Sequence, residues 1–153
     1  WGEAYVNARG KRVSKREIGP GCNERRCRFR CHKKITQQRR EGIFHSYWSC
    51  ANYERQRDFI CNYVERNPSK WAKVNSRRSH SCQYYLVSDT NAKERVCKQY
   101  FLDTLGIRER TVSWAIKKKD GTFSSSDKRG KRVPNNKIPE EELGRIRNHI
   151  KSF

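Results

Sequence analysis

The sequence has no methionine, few acids, no long apolar run and only four histidines. It opens on Trp1, and the missing methionine predicts a piece of a longer protein. No apolar run approaches the ~18 residues that a membrane-spanning helix needs. No charged start, apolar centre and small-residue cleavage site mark a secretory leader. Hydrophobic residues make up 33% of the chain, too few for one large core, so small subdomains on a shared partner are expected. Four histidines without paired carboxylates argue against an enzyme such as a nuclease. Asp and Glu number 16 against 36 Lys and Arg, a formal net charge of +20. Such a charge repels itself and costs stability unless a polyanion neutralises it. Nucleic acid is the first candidate, since each neutralised phosphate releases a counterion. An anionic membrane surface is the second, and no suitable amphipathic anchor supports it.

What is present is organised around Val96–Lys119. Tyr100, Phe101, Leu102 and Leu105 give a first segment an apolar face at helical spacing. Gly106 stands where that helix must stop and can take the left-handed conformation freely. Ile107 packs under the turn, and Arg108–Lys118 resumes a helical pattern. On this second helix Val112, Ala115 and Ile116 share one face, while Arg110, Trp114 and Lys117 share the other. A helix-turn-helix that lays its second helix in a DNA major groove needs this division. Arg110 and Lys117 are then candidates for guanine O6/N7, Arg108, Thr111, Ser113 and Lys118 flank them, and Trp114 suits a thymine methyl or a protein contact. The plain alternative is a helical hairpin whose charges are solvated.

Seven cysteines without a secretory leader, in a strongly basic chain, argue against a disulfide scaffold. Cys22, Cys27 and Cys31 are spaced C-x4-C-x3-C and followed directly by His32. Thiolates this close suit a structural zinc ion, which takes four ligands in a tetrahedron. Three ligands are in hand, and the fourth is open among Cys97, Cys50, Cys61, His45, His80 and His32. Cys97 is favoured because a hairpin over residues 82–98 would return it toward the N-terminal thiols. His32 is adjacent to Cys31 and poorly placed to share its metal. Cys50 and Cys61 fall in helical patterns and read as small buried hydrophobes.

The remaining segments are read in order. Residues 1–21 show no period and form a basic arm through Arg9, Lys11, Arg12, Lys15 and Arg16, closed by Gly19-Pro20-Gly21. Residues 35–66 predict two helices: one capped by Thr36 with a stripe of Ile43, Phe44, Tyr47 and Trp48, and one over about Tyr53–Arg66 burying Tyr53, Phe59, Ile60, Tyr63 and Val64. Residues 67–81 read as a basic loop carrying Trp71. Cys82–Val87 and Glu94–Cys97 read as a β-hairpin around Asp89-Thr90-Asn91. Residues 119–138 read as an irregular linker holding Lys128, Arg129, Gly130, Lys131 and Arg132, a cationic run suited to a narrow A·T-rich minor groove or to nuclear import. Pro139 and Glu140–Glu142 open a last helix with a stripe of Leu143, Ile146 and Ile150.

Four stretches together resemble the N-terminal region of eukaryotic DDE-type transposase-like proteins. They are Trp48, Tyr53, Gln56 and Phe59 after a Cys-rich opening; Val96–Val112; Asp127–Lys131; and His149–Phe153. The similarity runs from about Cys22 to the end and assigns no transposon superfamily. It implies a module that recognises transposon-end DNA, or host DNA in a domesticated descendant, with the catalytic carboxylate domain downstream of Phe153 and no catalysis in these residues.

The expected protein is therefore mainly α with a small β-hairpin: a basic arm (1–21), a zinc-stabilised helical DNA-binding domain (22–118) with a helix-turn-helix at 98–118, a basic linker (119–138) and the start of a further helical segment (139–153). Its expected partner is double-stranded DNA, its cofactor structural Zn2+ and its location the nucleus, with any homo-oligomer formed by regions outside this sequence. The competing readings are an RNA-binding module, with Trp71 and Tyr84 stacking on unpaired bases, and a non-specific nucleic-acid-binding domain.

Overall fold

A computed structural model describes residues 2–68, 80–120, 123–124 and 134–152. The arm expected to lack regular structure contains a short ribbon, Tyr5–Val6 (β1) paired antiparallel with Arg12–Val13 (β2). The Asn7 side chain closes it by accepting the N–H groups of Arg9 and Lys11. A one-turn helix, Cys31–Lys34 (α1), precedes the two expected helices, Gln37–Ser49 (α2) and Tyr53–Tyr63 (α3). Thr36 caps α2 by accepting the N–H of Arg39, and Asn52 caps α3 by accepting that of Glu54. Each cap satisfies a helix-start donor that would otherwise lack a partner.

The helix expected to continue to Arg66 ends at Tyr63, because Val64 turns extended and opens a strand, Val64–Pro68 (β3). That strand pairs antiparallel with His80–Val87 (β4), which pairs in turn with Lys93–Val96 (β5). The expected two-stranded hairpin is thus a three-stranded sheet with β4 in the middle. Pro68 sits at the end of an edge strand, where its missing N–H costs little. One rung explains the register: Val64, Tyr84 and Val96 lie side by side across the three strands, and all are buried. The Tyr84 ring faces Phe101 at 5.3 Å, joining sheet to helices. Tyr84 is 8% exposed, its ring covered by the helices.

Two further helices, Lys98–Leu105 (α4) and Glu109–Lys117 (α5), are joined by Gly106–Arg108. Gly106 takes φ +60°, its N–H reaches Asp103 O, and the N–H of Ile107 reaches Leu102 O at 3.1 Å. That paired pattern closes the last turn of α4 on its own carbonyls. A side chain at Gly106 would also meet the carbonyl oxygen of Glu17 at 2.7 Å, so the N-terminal segment lies directly on this turn. The same segment is held by Asp103, whose backbone oxygen accepts the N–H of Gly19 and whose carboxylate accepts that of Gly21.

Helix α2 packs on α4, and α3 on α5. Phe101, Leu105, Tyr47, Ile60 and Ala115 are almost wholly buried at the junction. Arg40 lies in this core at 5% exposure. It donates to Thr104 Oγ1, Gln37 Oε1 and Gly19 O, and its guanidinium stacks over Tyr100 at 4.8 Å. A buried guanidinium persists only when its donors are satisfied, and these bonds bind α2, α4 and the N-terminal segment into one unit. Tyr53, expected to be buried, is 48% exposed at the first position of α3.

Past α5, Lys119–Asp120 (β6) pairs with Phe123–Ser124 (β7), a short ribbon where an irregular linker was expected. The last helix spans Glu140–Lys151 (α6) with Pro139 at its cap position, one place earlier than a first-turn proline. No residue of α6 is buried, and Ile146 and Ile150 are exposed. Among the described residues no helix is long and apolar enough to cross a membrane.

Candidate metal centre and cationic helix

The sulfur atoms of Cys22, Cys27, Cys31 and Cys97 all lie within 4.8 Å of one another. Cys22 and Cys27 come from the loop after Gly21, Cys31 opens α1, and Cys97 caps α4 directly after β5. The return of β5 beside α1 is what brings Cys97 home, one residue beyond the strand that was expected to contain it. A tetrahedral ion with metal–sulfur bonds of about 2.3 Å needs sulfurs about 3.8 Å apart. Cys27 and Cys31 stand 3.6 Å apart, and all seven cysteines are free thiols. The four residues are close enough to coordinate one metal ion.

Backbone amides prepare the sulfurs for negative charge. The N–H of Cys97 donates to Cys31 Sγ at 3.2 Å, and that of Tyr100 to Cys97 Sγ at 3.4 Å. Burial pushes the Cys22 and Cys31 thiols up, Cys31 to about 12. Burial also acts upward on Cys27, but hydrogen bonds from the Cys22 thiol and from the amides of Cys31 and Phe29 outweigh it and hold Cys27 at about 7. The Cys27 thiol is thus pulled down toward neutrality while those of Cys22 and Cys31 are pushed up.

The other candidate ligands lie elsewhere. Cys61 is buried in α3 with its thiol on Ala115 O, as expected of a small hydrophobe. Cys50 is only half-buried at the end of α2, with its thiol on Ser46 O, because the helix stops there instead of carrying it into the core. His45 is exposed beside Phe44, and His80 is exposed next to Arg66. His32 follows Cys31 but takes no part in the cluster.

On α5 the two faces separate. Val112 and Ala115 are 2% and 1% exposed, with Ile116 half-buried. Arg108, Arg110, Thr111, Ser113, Trp114, Lys117 and Lys118 are all exposed. Arg108 is the cap position and Lys118 the end of the helix, so the regular segment is one residue shorter at each end than its sequence pattern. The sole acid of α5, Glu109, is held by Lys98 at 2.7 Å. Lys128, Arg129, Lys131 and Arg132, like Trp71, lie outside the described residues.

Two features here had no sequence signal. Phe29 is flanked by the guanidinium of Arg28 at 5.5 Å and that of Arg95 at 5.1 Å. The Lys98–Glu109 pair ties the starts of α4 and α5 together. The Arg95–Phe29 and Lys98–Glu109 contacts join positions whose proximity depends on the tertiary fold. Comparison with protein-family models, curated proteins and solved structures finds no match to this chain.

Proposed function

We propose that this chain is a zinc-stabilised module that binds double-stranded DNA, with α4 and α5 acting as a helix-turn-helix and α5 entering the major groove. The observation that carries the reading is the division of α5: its apolar side is sealed against the core, while Arg108, Arg110, Trp114, Lys117 and Lys118 face solvent. With side chains an α-helix is about 10–12 Å across, which fits the roughly 12 Å width of a major groove. Arg110 and Lys117 read guanine edges, Thr111, Ser113, Arg108 and Lys118 hold phosphates, and Trp114 touches a thymine methyl or sugar. Lys128, Arg129, Lys131 and Arg132 enter the adjacent minor groove.

Four thiolates complete a tetrahedron and leave no open position, which favours a structural zinc over a catalytic one. The resemblance to transposase-like proteins makes transposon-end or derived host DNA the target and the nucleus the location, with catalysis supplied by another part of the full protein. The burial of Tyr84 weighs against the RNA reading, since it removes one of that reading's two stacking residues. Competition between duplex DNA and single-stranded RNA tests the proposal. Preference for the duplex is expected, and equal or stronger binding to the single strand would reverse it.

A further inference from the structure

We infer that the basic loop carrying the thiol cluster is a second phosphate-binding surface, which grips the duplex backbone beside α5; this rests on the duplex-binding reading above. Between Cys22 and Lys34 the exposed cations are Arg25, Arg26, Arg28, Arg30 and Lys33, and the single acid is Glu24. Arg30 is the most telling. It sits between two thiol ligands at φ +49° and ψ +45°, left-handed backbone that glycine adopts freely and side chains rarely do. No hydrogen bond or ion pair joins its side chain to any described residue. An arginine standing where glycine is conformationally easier, with its guanidinium bonded to none of the described residues, points to a ligand outside them.

The neighbouring guanidiniums are already ordered. Arg28 and Arg95 both stack on the Phe29 ring, so their planar forks are held in place before any phosphate arrives. Position also fits. Cys97 closes the cluster, and the next residue, Lys98, is bonded to Glu109 in the first turn of α5. The loop therefore adjoins the start of α4, whose Lys98 reaches the first turn of the proposed reading helix. The rival account is that these cations only neutralise a zinc–tetrathiolate centre, whose net charge is about −2. On that account the arginines serve the cluster and a duplex does not sense them.

The experiment measures affinity of the zinc-loaded full chain for a random-sequence duplex across a salt series, for the parent, for Arg30→Gly and for Arg25→Gln with Arg26→Gln. Glycine suits the backbone at position 30, so zinc content and thermal midpoint should be kept or raised. The paired variant keeps the backbone bonds from residues 25 and 26 to Asn23 Oδ1, so its fold is also retained. Each lost phosphate contact should flatten the dependence of log K on log salt by about 0.9, which is about fivefold in affinity near 0.15 M salt. Preference between one duplex sequence and another should stay as in the parent, because phosphate contacts carry no base information. Slopes equal to the parent's in both variants overturn the inference and leave the proposed role of α5 standing. A parent chain without duplex affinity overturns both.

Discussion

The backbone N–H of Cys97 donates to the thiol sulfur of Cys31 across 3.2 Å, joining two positions 66 residues apart. That bond sits where the sheet, the Cys-rich loop and the start of α4 meet. Anything that fixes the sulfurs there also fixes the base of the α4–α5 pair. Replacing Cys97 by Ser should remove one thiolate from the cluster while leaving a hydroxyl to accept the Tyr100 N–H at the cap of α4, so its effect reports on the metal alone. Elemental analysis should find about one zinc per parent chain and well below that in Cys97→Ser. The thermal midpoint of the variant should fall by about 10 °C or more, since a structural zinc supplies folding free energy outright. A folded parent without zinc, or a variant with parental melting, contradicts the assignment.

Metal-free and metal-loaded chains should differ in their response to pH. Without metal, Cys31 keeps its proton to about 12 and Cys22 is also shifted up, whereas an unfolded thiol ionises at 9.0. The folded state then binds more protons, so stability falls as pH rises above 9. Cys27, held at about 7, acts oppositely and raises stability between 7 and 9. With zinc bound all four sulfurs are thiolates, and stability should fall as pH drops and protons compete for them. Denaturation profiles with zinc and with a chelator check this. Identical profiles in acid would refute coupling between the thiols and a metal.

Gly106→Ala should destabilise the fold by roughly 2 kcal/mol, combining the left-handed backbone cost with displacement of Glu17 O. Denaturant titration reads this directly. A change within about 0.5 kcal/mol would mean that the turn relaxes at little cost and that the N-terminal segment is not seated on it.

Glu109→Gln should leave stability within about 1 kcal/mol, because the pair with Lys98 is largely exposed. Duplex affinity should rise by a few fold, roughly the gain from releasing one phosphate-seeking lysine and removing the sole acid of α5. Weaker binding by this variant would place the acid in a contact role and count against the proposed groove-facing surface.

Much of this arrangement is legible from the residues because it is written locally. Thr36, Asn52 and Gly106 announce helix ends by chemistry that acts within a few residues. The split of α5 follows from Val112 and Ala115 recurring at helical spacing between charged positions. Cys97 was reachable by one geometric idea, the return of a hairpin. The third strand was not, since Val64–Pro68 has neither alternation nor β-rich composition and becomes a strand only by pairing with β4. The docking of the first residues was also hidden, because it depends on Arg40 and Asp103 reaching segments far away in sequence. Tyr53 and Tyr84 show the same limit: both are aromatic on a patterned segment, yet one is exposed and the other is covered by Phe101.

Selection of bound sites from random duplexes, with the zinc-loaded parent and Arg110→Ala side by side, tests the central claim most directly. The parent should enrich a shared short sequence, and Arg110→Ala should lose about 1–3 kcal/mol of discrimination at one position of it while still binding duplex. No enrichment by the parent, or an identical site chosen by both, would contradict a duplex-reading role for α5.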